Sequence, residues 1–148
     1  MLKHIGYSLL LIFAVSISAV QAQEDFNGRS LSGIKADFKS VGMVAHVKIK
    51  SIEPAASELN PLYRVESETL ETFKGKAKKG ESLIFYFSAE EGYDVRKLTG
   101  KQWIVFLDVE RPMPSGGKAW FELENSKLTV SKKLVGELRK LKKPARKG

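Results

Sequence analysis

The side chains that could perform chemistry are few in this sequence, and no recognisable catalytic motif joins them. The sequence has no cysteine, which excludes thiol nucleophiles, disulfides and thiolate metal sites. Its two histidines are His4 and His46, and His4 lies in a segment that we expect to be removed. A histidine-based triad would therefore depend on His46, and a multi-histidine metal site is excluded. Since no serine motif accompanies His46, we interpret it as a surface residue and predict no catalytic residue.

Three carboxylates in one polar stretch are the candidates for a metal site. Glu90, Glu91 and Asp94 could supply oxygen ligands to calcium. Their spacing differs from that of the EF-hand loop, and Gly92 between them is better explained by a turn. We therefore predict no metal and no cofactor.

Lysines and aromatic residues in the middle of the chain are the candidates for a nucleic-acid or sugar site. Four lysines (Lys74, Lys76, Lys78 and Lys79) surround a glycine-rich turn, and Tyr86 and Trp103 could stack on a base or sugar. The body of the chain, residues 23–131, has 16 basic and 16 acidic side chains, which is poor ground for nucleic-acid binding. We interpret the lysines as a solvated hairpin beside an apolar strand, and Trp103 and Trp120 as core residues.

The C-terminal segment is the most distinctive charged feature. Residues 132–148 contain eight basic side chains and one acid, a net charge of +7. Four apolar residues recur there at helical spacing: Leu134, Val135, Leu138 and Leu141. The resulting amphipathic helix could dock on the rest of the domain or lie on an anionic surface, and we favour docking, with the basic face left for weak electrostatic contacts. The candidate surface-binding residues are Lys140, Lys142, Lys143, Arg146 and Lys147.

The N-terminal segment has the pattern of a secretory signal peptide. Lys3 and His4 form a short basic region, Leu9 to Val15 is apolar, and Val20 and Ala22 occupy the small-residue positions of a cleavage site. The alternative is an uncleaved membrane anchor, but the apolar run is shorter than the roughly 20 residues that a spanning helix needs. We therefore predict a signal peptide at 1–22, one domain at 23–143 with no transmembrane segment after processing, and a basic tail at 144–148. The mature chain is expected in the periplasm or outside a bacterial cell.

Strand patterns dominate the body, and helix patterns are nearly confined to the end. Alternating or apolar runs predict about six strands, at 41–49, 63–73, 83–87, 103–107, 119–124 and 127–131. The first strand is expected to stop at Pro54, and a slip in alternation within the second predicts a bulge. We expect the last two strands to form a hairpin around Asn125 and Ser126, and a helix to begin after an N-cap at Ser131.

Three stretches carry a resemblance to a known family. The stretches are VGMVAHV (41–47), VESETLETFKG (65–75) and LTGKQWIVFL (98–107). Together they resemble the bacterial relatives of the tissue-inhibitor-of-metalloprotease and netrin-like domain, over roughly residues 36–131. The six short strands and the C-terminal helix by themselves suggest a small, mainly antiparallel barrel or sandwich. The resemblance implies an OB-fold barrel. We therefore predict a mainly β fold, a small antiparallel OB-fold-like barrel of about five to six strands with a C-terminal α-helix.

One departure from that family bears on function. In its eukaryotic inhibitors an N-terminal cysteine chelates the zinc of the protease, whereas the predicted first residue here is Gln23. That inhibitory mechanism therefore cannot be carried over. We expect an exported, non-enzymatic binding module for an unknown protein or envelope component. The alternative is an envelope-surface binder that uses the basic C-terminal segment on anionic glycolipid or glycan; a hydrolase is less favoured, and nucleic acid is disfavoured as a partner.

Overall fold

The computed structural model describes residues 25–55, 61–108, 110–113, 116–124 and 126–142. The predicted signal peptide and the basic tail at 144–148 lie outside these residues. The strands are β1 (Asp25–Phe26), β2 (Arg29–Ser30), β3 (Met43–Ala55), β4 (Leu62–Lys74), β5 (Ser82–Ser88), β6 (Gln102–Leu107), β7 (Arg111–Pro112), β8 (Lys118–Phe121) and β9 (Leu128–Thr129). The helices are α1 (Leu31–Ser40) and α2 (Lys132–Lys142), and a short 3-10 turn covers Val95–Leu98.

Seven of the strands form one mixed sheet, in the order β7-β8-β5-β4-β3-β6-β9. The pairing of β5 with β8 is parallel, whereas the other pairings described in this sheet are antiparallel. The prediction of a mainly β fold is confirmed. The prediction of an antiparallel arrangement needs correction, because β8 runs alongside β5 in the same direction.

The two long central strands follow the predicted alternation and contain the predicted irregularity. Val44 and Ala45 are both fully buried but belong to different core clusters, as expected for neighbours on opposite faces of a strand. In β4, Thr69 is the partner of Val47 and Glu71 is the partner of His46, so one extra residue lies between them. This register shift is the bulge predicted for that strand, and two further shifts occur in the same pair.

The sheet has a hydrophobic cluster on each face, and the two helices cover one of them. The helix-side cluster joins Val44, Phe73, Ile104, Phe106 and Leu128 of the sheet to Ile34 of α1 and to Leu134 and Leu138 of α2. These three helix residues have no exposed surface. The prediction that α2 docks through its apolar face is therefore confirmed.

Both helices begin at serine caps, but only one of them was predicted. The Ser131 hydroxyl accepts a hydrogen bond from the Leu134 N–H, as expected for the N-cap of α2. The Ser30 hydroxyl accepts from the Gly33 N–H in the same way at the start of α1. The prediction that helices are nearly confined to the C-terminus is wrong, because α1 adds a second helix over the same core cluster.

Two predicted features of the strands differ from the structure. β8 and β9 do not form a hairpin with each other, because β8 pairs with β5 and β7 while β9 pairs with β6. β3 does not end at Pro54 but continues to Ala55, with Pro54 opposite Tyr63 of β4. Among the described strands, β6 pairs with β3 only over Met43–Lys48, so within this part of the chain the end of β3 is an edge, where the missing N–H of proline is tolerated.

Candidate functional site

One polar edge of α2 is fixed to the sheet. The Arg139 guanidinium donates from Nε and Nη2 to the two carboxylate oxygens of Glu71, both at 2.8 Å. One turn later, Lys142 Nζ donates to the Thr72 carbonyl at 2.7 Å. The hydrogen bonds from Arg139 lower the pKa of Glu71, since they stabilise its charged form. Both basic side chains therefore help to hold α2 against β4.

The other polar edge of α2 is rich in lysine. Lys133, Glu137 and Lys140 share one stripe of α2, at spacings of four and three residues. Lys140 Nζ donates to Glu137 Oε1 at 2.8 Å. This bond and the positive charges of Lys35 and Lys133 lower the pKa of Glu137. Lys35 belongs to α1, so one carboxylate lies within the electrostatic reach of lysines from both helices.

The exposed side of α1 adds to the same charged region. Lys35 and Lys39 lie four residues apart on one stripe of α1, and both are exposed. We define the two-helix surface as the four exposed lysines Lys35, Lys39, Lys133 and Lys140. Over their full lengths the two helices contain seven basic and two acidic residues, a net charge of +5.

Lys74 joins the sheet to this region without belonging to the surface. Its Nζ donates to the carbonyl of Phe38 at 2.7 Å and to that of Lys39 at 3.1 Å. These are carbonyls at the C-terminus of α1, where the helix dipole favours a positive charge. Nζ also lies 5.6 Å from the centre of the Phe38 ring. Lys74 thus caps α1, while Lys76, Lys78 and Lys79 lie exposed in the following turn.

The structure places two of the five predicted surface-binding residues. Lys140 belongs to the two-helix surface, and Lys142 is exposed but bonded to β4. Lys143, Arg146 and Lys147 lie outside the described residues. Lys35 and Lys39 were not predicted as surface-binding residues because α1 was not predicted. The signal that could have found them is the Ser30 cap, followed by apolar residues spaced to form one helix face: Leu31, Ile34 and Phe38.

Two of the residues considered for catalysis or metal binding, His46 and Asp94, have local partners. His46 of β3 is half-buried, and its Nε2 lies 2.8 Å from Oε1 of the exposed Gln102 in β6. Asp94 caps the 3-10 turn and binds Arg96 Nε at 2.9 Å, which lowers the pKa of the carboxyl. Among the described residues, no three histidine, cysteine or acidic side chains are grouped as a metal site would require.

The aromatic candidates also contact their own fold. Tyr86 stacks on Phe121 with ring centres 5.5 Å apart, and the Arg111 guanidinium lies 5.7 Å from the Phe121 ring. Phe121 therefore occupies one face of the Tyr86 ring. Trp103 and Trp120 are partly buried and pack against the other core cluster, as predicted.

Among the ion pairs of the described residues, the pair of Glu122 and Lys127 contains the least exposed carboxylate. Glu122 has a side chain only 4% exposed, and its oxygens lie 2.7 and 2.9 Å from Lys127 Nζ. Burial raises the pKa of Glu122, although Lys127 acts in the opposite direction. Lys127 Nζ also lies 4.0 Å from the centre of the Phe87 ring. Phe87 is itself a buried core residue, so the pair lies at the margin of that core.

Comparisons with known proteins leave the function to be argued from this geometry. No protein-family model matches the chain, and no curated protein matches it significantly. Within the described segments, neither helix is long and apolar enough to cross a bilayer.

Proposed function

We propose that this chain is an exported, non-enzymatic binding module that interacts with another protein or with an envelope component. The observation that carries the proposal is the concentration of exposed lysines on the side of the domain covered by α1 and α2. Their apolar residues are buried in the core, so the helices present mainly charged groups to solvent. A surface of this kind favours electrostatic association with a partner.

We also propose that the domain is an OB-fold barrel of the tissue-inhibitor-of-metalloprotease and netrin-like type. Strands β5, β4, β3 and β6 are neighbours in the sheet, and β8 pairs with β5. An antiparallel bridge joins Leu107, at the end of β6, to Glu122, just after β8. The Asp108 N–H donates to the Phe121 carbonyl at 2.8 Å beside this bridge. These contacts support a circuit that returns from β8 to β6, as a barrel requires.

Export is tested through the mature N-terminus. We expect the protein secreted by its native host to begin at Gln23, because Val20 and Ala22 are the best small-residue pair after the apolar run. Intact-mass analysis of the purified protein measures this directly. Recovery of the form beginning at Met1 in a washed membrane fraction would contradict export of a cleaved chain.

The binding function is tested with washed envelope membranes and the chain that begins at Gln23. We expect the protein to sediment with these membranes at low ionic strength. If the partner is a protein, digestion of the membranes with protease abolishes sedimentation; if it is an anionic component, sedimentation survives digestion and disappears at high salt. A chain that stays in the supernatant under every condition contradicts the proposal.

The second candidate function is binding to anionic glycolipid or glycan through the basic C-terminal segment. The observation that favours it is the exposure of Lys140 on a helix whose apolar face is already docked. Truncation after Lys142 removes Lys143, Arg146 and Lys147 but keeps the bond from Lys142 to Thr72. We expect weaker retention on an anionic surface with an unchanged unfolding midpoint, and a steep loss of retention as the Debye length falls from about 10 Å at 0.1 M to about 3 Å at 1 M salt.

A hydrolase is the least supported function. His46 has Gln102 as its described hydrogen-bond partner, and a general base acting on a nucleophile needs that nucleophile within hydrogen-bond reach. A screen on generic ester, peptide and glycoside substrates separates the classes, with His46→Ala as the control. Turnover that disappears in this variant would replace the binding proposal with an enzymatic one.

A further inference from the structure

We propose that the two-helix surface, rather than the C-terminal segment alone, docks this chain on an anionic lipid surface. Lys35 and Lys39 of α1 and Lys133 and Lys140 of α2 would face the phosphate groups of the lipid headgroups. This inference rests on the second candidate function, binding to an anionic envelope component, and names the residues and the partner.

The two helices pack on the same core cluster. Ile34 of α1 and Leu138 of α2 are fully buried in the same core cluster, together with residues from one face of the sheet. Both helices therefore cover the same side of the domain. The charge of Lys35 helps to lower the pKa of Glu137, so the lysines of α1 and α2 contribute to the same electrostatic potential on this side of the domain.

Most of the net positive charge of the described residues belongs to the two helices. The described residues contain 21 basic and 15 acidic side chains, a net charge of +6. Of this excess, +5 belongs to α1 and α2, and only +1 to all other described residues. A domain with its charge on one side is oriented by an anionic plane, which attracts the helix side and leaves the sheet side facing solvent.

The exposed charged groups of the two-helix surface are lysine ammonium groups. Lysine offers a compact positive charge on a flexible stem, which suits phosphate groups whose positions are not fixed. The guanidinium of Arg139, which suits a fixed bidentate partner, is directed to Glu71 of the same chain. The main apolar residues of both helices are buried, so we expect attachment through charge and not through insertion into the acyl region.

The test measures binding to vesicles of phosphatidylcholine and phosphatidylglycerol in equal parts, by sedimentation at an ionic strength of about 0.1 M. The variant Lys35→Gln/Lys39→Gln removes two charges from α1 and leaves the C-terminal segment intact. Its matched control is Lys97→Gln/Lys101→Gln, which removes two exposed charges from outside the helices. Because each lysine near an anionic membrane contributes about 1 kcal/mol, and 1.4 kcal/mol corresponds to tenfold in affinity, we expect about 30-fold weaker binding for the α1 variant.

The control should weaken binding by less than about twofold, since its lysines lie outside the two-helix surface. Unfolding midpoints of the chain and both variants establish that the fold is retained. If the α1 variant is unstable, Lys133→Gln/Lys140→Gln tests the same surface from α2, and the same weakening is expected.

The results that would contradict this inference differ in whether they also contradict the second candidate function. Absence of any preference for these vesicles over pure phosphatidylcholine overturns both this inference and the second candidate function. Equal weakening by the α1 variant and its control, or an unaffected α1 variant with binding abolished by truncation after Lys142, overturns this inference but keeps anionic binding. An α1 variant that keeps vesicle binding and loses binding to a DNA duplex assigns the surface to nucleic acid and overturns the lipid proposal.

Discussion

Replacing Lys127 by methionine removes the charge partner of a carboxylate that is almost completely buried. Methionine keeps most of the length and apolar contact of the lysine stem but has no ammonium group. Glu122 would then keep its place beside Phe87 and lose two hydrogen bonds, at 2.7 and 2.9 Å. Removing one member of a buried ion pair costs about 3 to 5 kcal/mol, because an uncompensated charge stays behind.

Protonation of Glu122 limits this cost, because it removes the uncompensated charge. Carrying the proton at pH 7 on a carboxyl whose ordinary pKa is 4.5 costs about 3.4 kcal/mol. We therefore expect Lys127→Met to lose about 3 kcal/mol of unfolding free energy at pH 7. Burial raises the pKa of Glu122 in the folded state, so the folded protein binds a proton more readily than the unfolded chain. Stability is then lost as the pH rises above 4.5, and the cost of the substitution should fall below about 1 kcal/mol at pH 4.5.

The assay is urea unfolding of the chain that begins at Gln23, at both pH values. Lys50→Met is the matched control, because Lys50 Nζ lies 2.9 Å from Glu68 Oε2 in a pair whose side chains are 49% and 39% exposed. An exposed pair of this kind contributes little, so we expect no clear loss. Equal losses in the two variants, or a cost of Lys127→Met that grows as the pH falls, would show that burial does not govern this pair.

Three further changes test the packing and the local geometry. Phe106→Ala should cost about 3 to 5 kcal/mol because Phe106 is 1% exposed, and a loss below about 1 kcal/mol in urea unfolding would contradict a core position. Gly75→Ala should destabilise the fold more than Gly80→Ala, because both have positive φ but a Cβ at Gly75 would lie 3.1 Å from Met43 Cγ, whereas Gly80 has open space; equal shifts in the unfolding midpoint would contradict this. Ser131→Ala should cost about 1 kcal/mol through loss of the cap on α2, and an unchanged urea midpoint would show that the cap contributes nothing.

Features encoded within a few residues could be predicted from the sequence. The spacing of Leu134, Leu138 and Leu141 predicted α2, since a helix repeats its buried face every three to four residues. The apolar run around Phe106 predicted a buried strand in the same way. α1 was missed because its apolar stripe is short, with Leu31, Ile34 and Phe38, and begins directly after β2.

Features that depend on distant contacts could not be predicted. The residues around Asn125 do not indicate that β8 pairs in parallel with β5 at Phe85 and Tyr86. The alternation of a strand determines which face of the sheet its side chains lie on, but not which strand it pairs with. The site shows the same division. The charge of residues 132–148 was evident from the sequence, whereas the contact of Lys142 with Thr72 joins residues that are 70 positions apart in the chain.

The proline near the end of β3 has a consequence for solubility. Past Lys48, β3 has β4 on one side, and no described strand pairs with it on the other. Such an edge is a template on which a second chain can add a strand and start aggregation. Pro54 lacks the N–H that an incoming strand would need, and the neighbouring Glu53 places an exposed charge beside it. The residue that interrupts the strand pattern in the sequence thus protects the molecule against self-association through this edge.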